Sequence, residues 1–163
     1  MFSLEILKNK VEKIGAIIAA PKSLLVIHTK PVNDGTPYVD INNHECFYAS
    51  SEKGHEYFRE NISDLNELLY LIFDRIVFRM AVDYELENRI EKQDCRRLIF
   101  DKEIELMGKI DAEWQQRKQK EISTILAEYP FDNLALKNHP ENIKDADDSQ
   151  KTVSTYWENY FKR

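Results

Sequence analysis

His44, Cys46 and His55 are the residues whose types could bind a metal. His44 and Cys46 are two apart, so on a strand they point to one face. A zinc site takes three or four such ligands at close spacing. His55 is the third within reach, beyond a turn, and no fourth is near. The better reading is one buried cysteine and two surface histidines, with no metal and no cofactor. Nucleophilic catalysis finds no support either, because the sequence has no G-x-S-x-G elbow and no cysteine-centred signature. Four glycines form no phosphate-cradling loop. With 29 acids in 163 residues, carboxylate pairs arise by chance. No catalytic residue is expected.

A second group of charges lies on apolar helical faces. Arg79 and Asp83 are four apart and fall near a stripe that runs from Leu65 to Ile76. Glu85 and Arg89 repeat the spacing, and Arg96 and Arg97 follow. Charge on an apolar face is costly unless paired. Two readings compete: a structural polar network fixing how helices pack, or a small enzyme or ligand-binding domain using Glu85, Arg89 and Arg97. The structural reading is preferred, since ion networks of this kind need not mark function.

The formal net charge is −6. Binding to nucleic acid needs a basic footprint, which this chain lacks overall. The acids concentrate in two places. Asp64 to Lys92 holds seven acids against four bases, and the stretch 141–150 holds Glu141, Asp145, Asp147 and Asp148 against Lys144. Composition alone explains these as solubility, although an acidic face also attracts basic proteins.

The elements that must position these residues can be read from periodicity. The length fits one domain, residues 1–163. Ser3 is a candidate cap for a helix carrying Leu4, Leu7, Val11, Ile14 and Ile18, stopped before Pro21. Leu24–Ile27 is a β-branched run, and residues 31–37 carry loop signals. Residues 38–41 and 46–49 read as a hairpin joined through Asn42, Asn43 and His44. After the turn Glu52-Lys53-Gly54, Tyr57–Arg59 could add a strand. Residues 1–61 are therefore a helix plus a small antiparallel sheet of three or four strands.

Residues 62–131 read as a helical core. A helix apolar on most sides begins after Ser63 and runs to about Glu91. Asp94 and Asp111 are candidate caps for two more helices, and Pro130 ends the last. Glu113 and Arg117 have ion-pair spacing. Residues 132–163 read as an acidic loop and an aromatic C-terminal helix. The fold class is α+β. Two cysteines imply no disulfide framework, and no signal-peptide or membrane-spanning pattern occurs. A cytoplasmic protein is expected.

Several blocks in this sequence are distinctive. They are Tyr48-Ala49-Ser50-Ser51-Glu52-Lys53-Gly54, Ser63-Asp64-Leu65-Asn66-Glu67-Leu68-Leu69-Tyr70 and Ala81-Val82-Asp83-Tyr84-Glu85-Leu86-Glu87-Asn88-Arg89. Asp94-Cys95-Arg96-Arg97-Leu98-Ile99-Phe100, Trp114 and Ile125-Leu126-Ala127-Glu128-Tyr129-Pro130-Phe131-Asp132 complete them. Over about residues 38–132 the chain resembles the immunity protein 63 family of bacterial polymorphic-toxin and contact-dependent inhibition systems. The resemblance implies a protein that binds and blocks a toxin encoded beside it and catalyses nothing. Many such toxins are nucleases with basic sites, so a basic partner is implied, with no direct contact to nucleic acid or membrane. On that footing the acids Glu141, Asp145, Asp147 and Asp148 become the expected toxin contacts. Arg79, Asp83, Glu85, Arg89, Arg96 and Arg97 stay assigned to structure, because a motif shared by inhibitors of different toxins is better explained by the fold.

Overall fold

A computed structural model describes residues 2–42 and 45–132. The first helix, α1 (Leu4–Ile17), is capped by Ser3, whose Oγ accepts the Ile6 N–H at 3.3 Å. It buries Leu7 and Val11. Its end comes before Pro21. Ala19 takes a left-handed φ of 53°, the Ala20 N–H donates to Gly15 O and the Ala19 N–H to Ala16 O. That pair of bonds is a Schellman closure, made here with alanine in place of the usual glycine.

Residues 24–27 are not a strand. Lys22–Leu25 forms a 3-10 turn. The cause is packing: Leu25 lies against α1 where Gly15 has no side chain, and a Cβ there would come within 2.6 Å of Leu25 Cδ2. Close docking on the helix overrides the β-propensity of the run. The following residues give one backbone bond to the sheet, Val39 N–H to His28 O at 2.8 Å.

The sheet has three strands in the order β1 (Asp34–Ile41), β2 (Cys46–Glu52), β3 (His55–Asn61), all antiparallel. β1 starts earlier than its loop-like residues suggest. Its register shifts between Asp34 and Pro37, and an edge strand tolerates proline where a central one would not. Lys53 and Gly54 both take positive φ, 50° and 83°, which gives the tight turn joining β2 to β3. Val39, Cys46 and Tyr48 face the core, and Phe58 meets Tyr48 at a centroid distance of 5.5 Å.

Three helices follow. α2 (Leu65–Asn88) is capped by Asp64, which accepts the N–H groups of Asn66 and Glu67. At 24 residues it spans about 36 Å. It ends three residues before the expected Glu91. α3 (Arg96–Ile110) and α4 (Ala112–Glu128) are separated by Asp111 alone. Asp111 closes α3 through its N–H to Met107 O and opens α4 through its carboxylate, which accepts from Glu113 and Trp114. One core unites α1, the sheet and much of α2 with Met107 and Trp114. A smaller one holds Ala81, Ile99, Phe100, Ile122 and Ile125. Among the described residues, four helices and the antiparallel sheet make the fold α+β.

Candidate functional site

The charges singled out on α2 separate into two kinds. Arg79 and Asp83 pair at 3.3 Å, with side chains 63% and 47% exposed. The helix face that is apolar and covered from Leu65 to Ile76 has reached solvent there, so this pair bears no burial cost. Glu85 is different. It is 2% exposed and lies in register with buried Val77 and Ala81, one helical turn apart each. Arg89 grips both its oxygens, at 2.9 and 3.0 Å, from a largely exposed position.

Beside this pair sits Cys95, at the start of α3. Burial pushes its thiol pKa up, the charges of Glu85 and Asp94 push the same way, and Arg89 and Arg96 oppose them. Glu85, Arg89 and Arg96 thus all act electrostatically on Cys95, while Arg79 pairs with Asp83 instead. Cys95 and Cys46 are both free thiols.

Asp94 and Arg96 continue the group into a clamp. Arg96 bonds Asp94 at 2.6 Å. Its two terminal nitrogens donate to Tyr129 O and Pro130 O, each at 3.0 Å. Asp94 in turn accepts the Asp132 N–H at 2.9 Å. Its carboxylate also accepts the Arg96 N–H, but the N-cap of α3 is Cys95, one residue later than the expected Asp94, and Cys95 makes no side-chain cap bond. Arg97 lies over the Phe131 ring, 4.2 Å from Cζ to centroid. Two sequence blocks about thirty residues apart therefore lock together, and they fix where the chain leaves α4.

A third group was not singled out from the sequence. Lys118, with no exposed surface, reaches Asp74 on α2, Glu121 at 3.0 Å and Glu103 on α3 at 3.8 Å. Tyr70 donates to Glu121 at 2.8 Å. Burial raises the Glu103 carboxyl to about 8, against a downward pull from Lys118. Burial raises Asp74 too. The neighbouring Arg117 does not use Glu113. It forms a bidentate bridge to Glu67 at 2.6 and 2.9 Å, bonds Glu121 at 3.1 Å and covers the Tyr70 ring. A signal was present in each case. Lys118 stands four residues from Trp114 and four from Ile122, on the buried stripe of α4, and Glu103 sits between Ile99 and Met107 in the same way.

These pairings change the meaning of the acid-rich stretch 64–92. Asp64 caps α2, while Glu67, Asp74, Asp83 and Glu85 are each paired with a base of the fold. That excess is mostly internal. The expected toxin contacts, Glu141, Asp145, Asp147 and Asp148, lie outside the described residues, as do His44 and the loop and helix expected after Asp132. Among the described residues no group of three or more His, Cys, Asp or Glu is placed to hold a metal. An open groove of about 600 Å³ runs between the start of α1 and β1, lined by Phe2, Leu4, Thr29, Val39, Asp40 and Ile41 among others. None of the charge groups above lines it. No helix among the described residues is long and apolar enough to cross a membrane.

Residues 42–124, just over half of the chain, match the family described as immunity protein 63. The chain belongs to that family. No curated protein and no solved structure matches it. The span matched to immunity protein 63 takes in β2, β3, α2, α3 and most of α4. It contains Glu85, Arg89, Arg96 and Arg97 together with Lys118, Asp74 and Glu103, and it stops short of the clamped residues Tyr129–Asp132.

Proposed function

We propose that this chain binds and neutralises a cognate bacterial toxin as a stoichiometric protein inhibitor, with no reaction and no cofactor of its own. The observation that carries this is membership of the immunity protein 63 family over residues 42–124. The toxin belongs to a polymorphic or contact-dependent inhibition system, and the encounter takes place in the cytoplasm. A nuclease suits the charge: the net −6 of the inhibitor opposes the basic site that a polyanionic substrate demands. Glu141, Asp145, Asp147 and Asp148 are proposed contacts. Arg79, Asp83, Glu85, Arg89, Arg96 and Arg97 are proposed as structural. The geometry does not favour a ligand site at Glu85, Arg89 and Arg97, since Arg89 occupies both oxygens of Glu85 and Arg97 lies on Phe131.

Co-expression with the toxin encoded beside it is the test. The chain should restore growth. A soluble, folded chain that binds that toxin domain in a pull-down and restores growth supports the reading, and one that does neither overturns it.

A further inference from the structure

We infer that the outer strand β3 and the hairpin ends flanking it form a docking edge for a basic protein face. This rests on the toxin-binding reading above, in which that face is the toxin's. β3 ends the sheet, and among the described residues no strand pairs with its other side. Of its seven residues, Phe58 alone is part-buried, and the other six are exposed. The strand is about 23 Å long at the usual rise per residue.

Charge is segregated onto this sheet. Residues 45–61, which hold β2, the hairpin ends and β3, carry Glu45, Glu52, Glu56 and Glu60 against Lys53 and Arg59, a net −2, and with Asp34 and Asp40 on β1 at the opposite edge the sheet is net −4 out of −6. Residues 1–30 are net positive, with five lysines against two glutamates. The one arginine on the strand is exposed but already engaged by local acids. Arg59 bonds Asp40 at 2.8 Å, lies 3.7 Å from Glu56 and stacks on Phe47 at 4.2 Å. Beside it Tyr57 is 51% exposed, and its hydroxyl donates to Glu52 at 2.8 Å. A half-exposed tyrosine held by its own hydroxyl offers rigid apolar area, the kind of side chain that anchors interfaces.

The same charges select the occupant. A second copy would bring acidic edge against acidic edge, and charge on an edge strand is a common guard against self-pairing. Nucleic acid is repelled. Residues 133–163 hold five bases and five acids, so that segment of the chain offers no net complement. A basic protein face does, and its encounter would be steered by charge.

The test uses the full chain and its cognate toxin domain. Glu56→Lys with Glu60→Lys should slow association about tenfold at low salt and flatten its salt dependence, and Tyr57→Ala should speed dissociation about tenfold. Thermal melts confirm that each variant folds. A variant with Glu141, Asp145, Asp147 and Asp148 all changed to Lys tests the other proposed surface in parallel. If wild type binds the toxin and the folded β3 variants bind within twofold of it, this inference is overturned and the toxin-binding reading stands. If wild type binds no toxin, both fall. Hydrogen exchange on the free chain decides the remaining occupants. Outer β3 amides should exchange fast when free and slowly with toxin. Protection in the free monomer means residues 133–163 cover the edge, and a dimer at micromolar concentration means a second copy does; either overturns the inference.

Discussion

Lys118 and Asp74 form an ion pair between α4 and α2 in which the lysine side chain has no exposed surface and the aspartate retains 15%. Removing one member of such a pair leaves the other as a buried charge without its partner, which costs about 3–5 kcal/mol. Lys118→Ala should lose stability of that order in urea unfolding. Lys118→Met combined with Asp74→Leu should recover most of it, because apolar groups of similar volume replace a buried pair with little loss. Equal destabilisation by the single and double variants would count against a coupled pair.

Glu103 makes stability depend on pH. Burial holds its carboxyl up to about 8, whereas an unfolded glutamate titrates near ~4.3. Between those values the folded chain binds more protons than the unfolded one, so stability should fall as pH rises through that window. Burial of Asp74 acts in the same direction. Asp94 and Glu105, held low by their arginine and lysine partners, act oppositely: their contribution is present above the usual carboxylate range and lost in acid. Glu103→Gln should flatten the decline between pH 5 and pH 8.5, read as the difference in urea midpoints. An unaltered slope would show that Glu103 is not the group responsible.

The two salt bridges on α2 should respond unequally to truncation. Arg89→Ala leaves Glu85, whose side chain is 3% exposed, without its bidentate partner. That should cost about 1–3 kcal/mol. Arg79→Ala breaks a solvent-exposed pair and should shift stability by about 0.5 kcal/mol or less. Thermal melts compare them. Unchanged stability for Arg89→Ala together with lost toxin binding would move that arginine from the scaffold to the interface.

The helix starts were legible because capping is local chemistry. Ser3 and Asp111 accept backbone N–H groups within three residues of themselves, so sequence spacing contains the whole interaction, and the start of α2 lies one residue beyond Ser63, where Asp64 itself is the cap. The hairpin turn at Lys53-Gly54 was readable for the same reason. What failed was decided at a distance. Leu24–Ile27 has strand propensity, but a bare Gly15 on α1 gave Leu25 a place to pack. Glu113 had the spacing to pair with Arg117, yet Glu67, fifty residues away, offered two oxygens. The partners of Lys118 come from three helices, so its position on an apolar stripe could flag a buried charge without naming what neutralises it.

Arg96 should prove a poor site for conservative change. Its guanidinium serves Asp94, Tyr129 O and Pro130 O at once, a set of directions that a lysine ammonium on a flexible stem reproduces badly. Arg96→Lys should therefore approach Arg96→Ala in cost, about 1–3 kcal/mol by urea unfolding. Arg97→Ala removes one stacked contact with Phe131, and should cost less, about 0.5–1 kcal/mol. Hydrogen exchange separates the local effect from the global one. The Asp132 amide, bonded to Asp94, should exchange faster in both Arg96 variants, out of proportion to their loss of global stability, because that bond sits at the chain's departure from α4 and opens before the bundle does. If Arg96→Lys keeps wild-type stability and wild-type exchange at Asp132, the clamp is a matter of charge alone and its fork geometry is irrelevant.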